Sequence, residues 1–229
     1  MRFGGIQKNS FIDFPGKISC VVFASGCNFH CPYCHNPELV SGCGNRVSGD
    51  AVLDFLRQRK GWLDGVVISG GEPTLQGDLS DFCEHVKSMG YPVKLDTNGS
   101  RPKAITRLIR NKLVDYIAMD IKTAPDLYNP TIASHCPPES IRESISIIMQ
   151  ARVPYEFRTT CVRPFVDDAI MDRITYLIQG ADLYVLQRFV NGDVLLPEFF
   201  SGTNHSFGDS ELSHLKCIAE SRVGTCLIR

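Results

Sequence analysis

The chain has 229 residues, of which 43% are hydrophobic and 21% are charged, and its formal net charge is −1. This size and composition suit one globular domain spanning residues 1–229. The near-zero charge gives no electrostatic reason to expect nucleic acid as a partner, and no apolar run reaches the length of a membrane span. Met1 to Phe14 also lacks the pattern of a signal peptide, so we expect a cytoplasmic protein that does not bind membranes.

Short β-type runs alternate along the chain with segments of helical periodicity. This alternation predicts an α/β fold with a parallel sheet and right-handed crossovers, and its six units are too few for a complete eight-fold barrel. The predicted strands span residues 18–24, 66–69, 93–96, 114–119, 155–160 and 183–187. The predicted helices have apolar faces that include Phe55, Phe82, Ile105, Ile145, Ile174 and Leu215.

The loop after the first predicted strand carries Cys27, Cys31 and Cys34 in a C-x3-C-x2-C pattern. Such a loop can wrap three thiolates around one face of a metal centre. A [4Fe–4S] cluster normally takes four cysteines, so three from one loop leave one iron open. From the residues alone, a structural zinc site with His35 as the fourth ligand is the alternative.

Three of the remaining cysteines are predicted to be structural. The chain has ten cysteines, and in a cytosolic protein of this size metal binding or burial is the usual reason for them, rather than disulfides. Cys20 and Cys161 lie within apolar or β-branched runs and Cys83 lies on a helical apolar face, so all three are predicted to be core residues. Cys43 follows the cysteine loop, and its role is open between a neighbour of the metal centre and a plain loop thiol.

The cysteine spacing resembles that of the radical SAM superfamily. In that superfamily the open iron of a [4Fe–4S] cluster is chelated by the amino and carboxylate groups of S-adenosylmethionine (SAM). The resemblance implies that an electron from the cluster at Cys27, Cys31 and Cys34 cleaves SAM to a 5′-deoxyadenosyl radical, so that these cysteines act in catalysis through the cluster. It also implies that Tyr33 lies against the adenine and that the fold is a partial (β/α)6 barrel.

The second predicted strand ends in a glycine-rich motif, Ser69-Gly70-Gly71-Glu72-Pro73. A plain tight turn would explain such a motif on its own. The motif also resembles the superfamily element whose backbone approaches the amino group of SAM, and glycines at two positions would permit that approach. By this resemblance, Gly70, Gly71 and Glu72 are candidate SAM-binding residues.

Polar side chains also follow the third and fourth predicted strands. They are Asp96, Thr97 and Asn98 after one strand, and Asp120 and Lys122 after the next. Residues of these types are often caps or turn residues. Beside the cysteine loop they resemble the groups that glycyl radical enzyme activating enzymes direct at the SAM ribose and carboxylate. The same resemblance implies a monovalent cation near Asp96 and Asp120.

Arg158 falls in the middle of the fifth predicted strand. An interior charge there needs a partner, and the carboxylate of a bound SAM would supply one. Gln187 and Arg188 close the sixth strand and are further candidates to complete the site.

The element Asp13-Phe14-Pro15-Gly16, followed by Lys17, narrows the resemblance to the glycyl radical enzyme activating enzymes. Among these, the chain most resembles the compact activating proteins of anaerobic ribonucleoside-triphosphate reductase. The resemblance implies that the substrate is a partner glycyl radical enzyme and that a donor such as flavodoxin or ferredoxin supplies the electron.

The principal rival is a stand-alone radical SAM enzyme that acts on a small molecule, such as a deazapurine precursor. Such an enzyme needs a cluster of fixed polar groups at the barrel mouth. Irregular residues 123–138 and 191–207 are expected near that mouth, and we locate no such cluster in them, which favours a protein substrate. A non-catalytic iron–sulfur or zinc module would explain neither the glycine-rich motif nor the polar strand ends.

Overall fold

The computed structural model describes residues 1–42, 46–201 and 204–229. These residues form one sheet, whose strands are β1 Arg2–Ser10, β2 Ser19–Ala24, β3 Val47–Ser48, β4 Gly65–Gly70, β5 Val93–Thr97, β6 Tyr116–Asp120, β7 Tyr155–Cys161, β8 Leu183–Arg188 and β9 Thr225–Ile228. The strand order is β3-β1-β2-β4-β5-β6-β7-β8-β9. All neighbours from β2 to β9 are parallel, whereas β1 pairs antiparallel with both β2 and β3. The two edge strands of the sheet, β3 and β9, do not pair with each other within the described residues.

Helices cover the outer face of the sheet. They are α1 Pro37–Ser41, α2 Gly49–Gln58, α3 Leu79–Ser88, α4 Pro102–Arg110, α5 Pro138–Gln150, α6 Asp168–Leu177 and α7 Asp209–Glu220. Alternate strand residues such as Val66 and Ile68 of β4 share the main core with helix residues such as Phe82 and Val86 of α3. The parallel sheet and the predicted helices are thereby confirmed.

The structure contains three strands that the sequence patterns did not predict. β1 lacks regular alternation, and it forms because its backbone pairs along β2 from Phe3 to Ser10. β9 has only four residues and gains its partner from β8. β3 has two residues. All three depend on backbone hydrogen bonds to distant segments, which local periodicity does not report.

The buried cysteines outside the loop behave as predicted. Cys20, Cys83 and Cys161 are fully buried. Burial raises the pKa of each of these thiols to about 12, so they are inert core groups. Cys43 lies outside the described residues.

No helix in the described part of the chain combines the length and the apolar character that a membrane span needs.

The Asp-Phe-Pro-Gly element closes the end of the barrel opposite the cysteine loop. It follows β1, and Phe14 is 3% exposed in a small inner core with Val21 and Val67. Gly65, at the start of β4, leaves room for this ring, because an added Cβ there would lie 2.9 Å from Phe14 Cδ1. The element therefore supports the barrel from its amino-terminal end.

Phe14→Ala should lower the free energy of unfolding by about 3–5 kcal/mol, because it empties the inner core at this end. The matched control is Phe11→Ala, since Phe11 in the same connection is 75% exposed. We expect the control to change stability by no more than about 0.5 kcal/mol. Urea denaturation of the cluster-free proteins measures both, and equal effects would show that Phe14 does not support the barrel.

Candidate functional site

Two irregular segments hold the cysteine loop at the carboxyl ends of the strands. The His30 backbone N–H donates to Ile132 O at 2.7 Å, from the segment of residues 123–138. The Leu195 N–H donates to Cys34 O at 2.9 Å, from the segment of residues 191–207. The loop is therefore fixed from both sides by backbone hydrogen bonds, and both segments lie where the sequence placed them, beside the site.

The cysteine loop and the polar strand ends line one cavity of about 230 Å³. Most predicted site residues line it, namely Cys27, Cys31, Tyr33, Cys34, Gly70, Gly71, Glu72, Asp96, Thr97, Asn98, Asp120 and Lys122. Arg158, Gln187 and Arg188 do not line it, and Arg188 instead pairs with Asp209 at 2.6 Å. Phe29, Asn36, Val40, Ser69 and Thr160, which were not predicted, line it as well. Ser69 lies next to the last residue of β4 and Thr160 lies next to the last residue of β7, so their positions at strand ends could have identified them.

The arrangement of the thiols fits a cluster. No three His, Cys, Asp or Glu side chains in the described residues converge on a single-ion site. Zinc needs its ligands to converge at about 2.0–2.3 Å, whereas in a cluster each thiolate binds its own iron. His35 also directs Nδ1 to Asp193 O at 3.1 Å and stacks on Phe189. Three thiols of one loop are the donor set that a [4Fe–4S] cluster with one open iron takes.

Burial sets the protonation of two of these thiols. It raises the pKa of Cys27 to about 12 and the pKa of Cys31 to about 11, and the charge of Lys122 opposes both shifts. Cys27 and Cys31 thus carry protons until metal binds, and loading a cluster releases them.

Tyr33 supplies a second observation that fits a ligand. Its side chain is 4% exposed and its ring lies 5.3 Å from the ring of Phe165. Its hydroxyl is buried without a hydrogen-bond partner among the described residues. Because a buried polar group normally has a partner, this hydroxyl at the cavity wall is suited to meet a bound molecule.

Close backbone packing within the protein requires the glycines of the Gly-Gly-Glu-Pro motif. A Cβ at Gly70 would lie 2.5 Å from Ala24 N, and one at Gly71 would lie 2.1 Å from Gly26 O. The Gly71 N–H also donates to Ala24 O at 2.8 Å. The resemblance to the superfamily explains the lack of side chains at Gly70 and Gly71 by a close approach of the backbone to SAM. The structure shows that the space is filled by the backbone that leads into the cysteine loop.

The Glu72 carboxylate is fully buried and binds the protein itself. It accepts hydrogen bonds from Thr74 N at 3.0 Å, Asn98 N at 2.7 Å and Thr97 Oγ1 at 2.8 Å. Burial raises the pKa of this carboxyl above its usual value, and these hydrogen bonds oppose the shift. Glu72 thus joins the end of β4 to the end of β5.

Arg158 has partners within the protein. The sequence suggested a bound carboxylate as its partner, whereas the side chain lies one inward position deeper than Thr160 on β7 and contacts Asp96 and Asp120, with Glu156 Oε1 at 3.9 Å. Together with its neighbours it forms a ladder of alternating charges, which we call the charge ladder. Its contacts are Lys94 Nζ–Asp96 Oδ1 at 2.7 Å, Asp96 Oδ2–Arg158 Nη1 at 3.4 Å, Arg158 Nε–Asp120 Oδ1 at 2.7 Å and Asp120 Oδ2–Lys122 Nζ at 3.0 Å.

The charge ladder keeps its carboxylates ionised. Burial by itself would raise the pKa of Asp96 and Asp120, but the charges of Arg158 and of the neighbouring lysines outweigh it and lower both pKa values. Lys94 is 1% exposed, and sequence analysis assigned it no role. The sequence places Lys94 inside a predicted strand, two residues before Asp96. This position could have identified the ion pair, because a lysine buried in a strand must be paired.

Asn98 connects the strand ends with the cysteine loop. Its Nδ2 donates to Asn28 Oδ1 at 3.1 Å and approaches Cys27 Sγ at 3.9 Å. The hydroxyl of Ser100 donates to the same Asn28 oxygen at 3.3 Å. Asn98 is therefore placed beside a thiol rather than free in the cavity.

Comparison with known proteins identifies the family. The profile of the Radical SAM superfamily matches residues 21–177. The chain belongs to this superfamily. The match spans the cysteine loop and the polar ends of β4, β5 and β6, and the predicted partial barrel of the radical SAM type is confirmed.

Relatives place this radical SAM protein among the glycyl-radical enzyme activating enzymes. A Methanocaldococcus jannaschii protein described as such an enzyme is 36% identical over 233 residues, which cover 98% of this chain and 94% of the relative. The pyruvate formate-lyase-activating enzyme of Clostridium pasteurianum is 32% identical over 55% of this chain and 54% of its own length.

A solved structure shares the fold. The structure of Streptococcus suis SuiB bound to the precursor peptide SuiA superimposes with a TM-score of 0.70 over 91% of this chain. The sequence identity is 12%, and the chain spans 48% of SuiB, about half its length. This likeness shows the fold alone.

Arg158→Met should lower the free energy of unfolding by about 3 kcal/mol at neutral pH, because it removes the shared cation from two half-buried carboxylates, each of which keeps one lysine. The pairing lowers the pKa of Asp96 and Asp120 in the folded state, so its stabilisation is present above their unfolded pKa values. It is lost as pH falls through the folded values, so the difference from the wild type should shrink in acid.

Urea denaturation of the cluster-free proteins across a pH series measures this. Arg222→Met is the matched control, since Arg222 pairs with Asp172, whose side chain is 56% exposed. The control should cost no more than about 1 kcal/mol. A loss for Arg158→Met that does not exceed the control, or does not change with pH, would contradict the role of the charge ladder.

Proposed function

We propose that this protein uses a [4Fe–4S] cluster bound by Cys27, Cys31 and Cys34 to cleave SAM and generate a glycyl radical on a partner enzyme. One observation carries the proposal: three thiols of one loop line the same cavity as the polar ends of three successive parallel strands. When bound, the reduced cluster supplies the electron that splits SAM into methionine and a 5′-deoxyadenosyl radical. The protein binds and orients the reactants.

The proposed SAM contacts follow from which groups line the cavity. Lys122 and Asp120 would meet the carboxylate and the ribose, because both line the cavity at the end of the charge ladder. The backbone at Gly70 and Gly71 would meet the amino group, and the unpartnered Tyr33 hydroxyl would meet the adenine end. Arg158 would act on SAM through Asp96 and Asp120, which it holds ionised.

Glu72, Thr97 and Asn98 complete the proposed site mainly by positioning. Their side chains bind one another or the cysteine loop, so they would keep the cluster ligands and the SAM contacts at fixed separations. Fixed separations matter because the reacting atoms must be aligned for hydrogen abstraction.

The monovalent cation proposed near Asp96 and Asp120 would share these carboxylates with Arg158. The guanidinium already takes Asp120 Oδ1 at 2.7 Å and Asp96 Oδ2 at 3.4 Å. Such a cation would therefore bind from the cavity side, and only once the SAM carboxylate adds a further oxygen ligand. Its test is whether added sodium or potassium strengthens SAM binding.

A protein substrate is favoured because the polar groups of the cavity are already committed. Asp96, Asp120, Lys122, Asn98 and Glu72 all bind other protein groups. Beyond the SAM contacts, few fixed polar groups remain to recognise a small heterocycle, which such an enzyme would need. A glycine in an extended backbone carries no side chain that such groups would have to recognise.

For the partner we propose anaerobic ribonucleoside-triphosphate reductase, with flavodoxin or ferredoxin as the electron donor. The support is the Asp13–Lys17 element and the short connections within residues 1–229, because both features resemble the compact activating proteins of that reductase. We propose that residues 1–229 act as one radical SAM domain.

Anaerobic reconstitution should load about four irons per chain, and Cys27→Ala, Cys31→Ala or Cys34→Ala should each abolish SAM cleavage and lower the iron content. Cys217→Ala is the matched control, because Cys217 is exposed on α7, away from the loop. Adding SAM should also change the EPR spectrum of the reduced cluster. An unchanged spectrum would mean that the protein supplies a fourth ligand and that no iron is open.

With SAM, a reductant and the partner enzyme, an EPR doublet from a glycyl radical should form on the partner. Changing the partner's radical glycine to alanine should erase the doublet, because that Cα supplies the hydrogen. SAM cleavage should be slow without the partner, since alignment of the cluster, SAM and glycine requires the complex. If a small heterocycle stimulates SAM cleavage and no glycyl radical enzyme tested does so, the protein is instead a stand-alone radical SAM enzyme that acts on a small molecule.

A further inference from the structure

The helix α4 and the residues beside it form an exposed basic surface. Arg101, Lys103, Arg107 and Arg110 are all exposed, and we call them the basic α4 face. No acidic residue occurs between Asp96 and Asp115 in the sequence. On a chain with a net charge of −1, this face is a local concentration of positive charge.

The charges of the basic α4 face are not compensated within the protein. None of its four cations forms an ion pair among the described residues. Glu143 is the acidic residue among those lining the two grooves beside α4, and it pairs with none of them. Cations on four other helices do form ion pairs, namely Arg57–Asp54, Lys87–Asp115, Arg173–Asp126 and Lys216–Glu220.

The placement of Arg101 and Lys103 works against the stability of the helix, whereas Arg107 and Arg110 lie in its last turn, where the helix dipole favours cations. Lys103 and Arg107 are four residues apart and Arg107 and Arg110 are three apart, so like charges face each other along one side. Arg101 and Lys103 also lie at the positive end of the helix dipole, and the first turn of α4 has no acidic residue. Four exposed cations on one face that have no ion-pair partner among the described residues indicate an anionic surface outside the chain.

The basic α4 face begins next to the proposed cluster. Ser100, which precedes Arg101, accepts a hydrogen bond from Asn28 Nδ2 at 3.0 Å. Asn98 Nδ2 donates to Asn28 Oδ1 at 3.1 Å and lies 3.9 Å from Cys27 Sγ. A chain of polar contacts therefore connects this surface with a cluster ligand on the outer side of the cavity. A protein bound here would reach the Cys27 edge while the cavity stayed open to SAM and to the substrate.

We propose that the basic α4 face docks the acidic surface of a one-electron carrier protein, which reduces the cluster at its Cys27 edge. The inference rests on the proposed function, since only a cluster at Cys27 has use for the electron. In the step, one electron leaves the reduced flavin or iron–sulfur group of the carrier, which is oxidised by one electron, and enters the oxidised cluster. No bond forms or breaks and no proton moves.

The test uses the reconstituted enzyme and reduced flavodoxin, an acidic flavin carrier, mixed in an anaerobic stopped-flow instrument. Lys103→Glu/Arg107→Glu should slow cluster reduction at least about tenfold at low ionic strength, because steering by opposite charge is lost. The difference should narrow at about 0.5 M salt, where charges are screened over a few ångströms. Oxidised flavodoxin should also bind the variant more weakly than the wild type, in the cluster-loaded and the cluster-free protein alike.

The matched control is Lys8→Glu/Lys60→Glu. Both residues are exposed, form no ion pair within the described residues, and lie near the amino-terminal ends of the strands, away from the cysteine loop. This variant changes the net charge equally and should reduce at the wild-type rate. Iron content checks folding, and Lys103→Gln/Arg107→Gln should give an intermediate effect if the reversed variant does not fold.

Dithionite separates this inference from the proposed function, because it delivers electrons without docking. All variants should cleave SAM normally with dithionite. If the wild type cannot, the proposed function fails, and flavodoxin binding still decides the docking surface. Normal flavodoxin reduction in the α4 variant, or equal slowing in the control, would overturn the inference. Weaker binding of the glycyl radical enzyme with unchanged flavodoxin binding would assign the face to the substrate protein and overturn it as well.

Discussion

The buried carboxylate of Glu72 is the contact on which the geometry of the site depends. It accepts hydrogen bonds from the ends of β4 and β5 with no exposure to solvent. The glycines before it press the same strand end against the backbone that leads into the cysteine loop. Two strand ends and the thiols are thus held at fixed separations by groups that never leave the protein. An unpaired carboxylate at this depth would be strongly unfavourable, so the contacts form together.

The charge ladder continues this rigid framework across β5, β6 and β7. Its members alternate in sign, and each interior charge contacts an opposite one. Buried ion pairs of this kind contribute little to net stability compared with apolar packing, and their retention is better explained by the site that they shape. Here the ladder ends at Lys122 and Asp120 on the cavity wall, so it presents one cation and one anion in fixed positions.

The two ends of the barrel differ in the polarity of the side chains that fill them. Phe14 and a small apolar cluster fill the amino-terminal end, whereas the carboxyl-terminal end is polar and lies under two irregular segments. These segments bind the cysteine loop through backbone hydrogen bonds to Ile132 and Leu195. Aromatic rings also support the cysteine loop. Tyr33 and His35 contact four phenylalanine rings, namely Phe165, Phe189, Phe199 and Phe200, either directly or through one another. Stability and chemistry are therefore separated along the barrel axis, as in other parallel α/β folds.

The sequence by itself determined the order of the six strands β2 and β4 to β8 with the helices between them, the three thiols of one loop and the polar groups at the strand ends. These features are local, because periodicity and motif spacing involve residues close together in the chain. Only the tertiary structure decided that Arg158 pairs with Asp96 and Asp120, that Gly70 faces Ala24, and that Glu72 binds Thr97 and Asn98. It also decided that β1 and β9 are strands. Each of these contacts joins segments that are distant in sequence. A pattern shows that a buried charge needs a partner, but packing chooses which one.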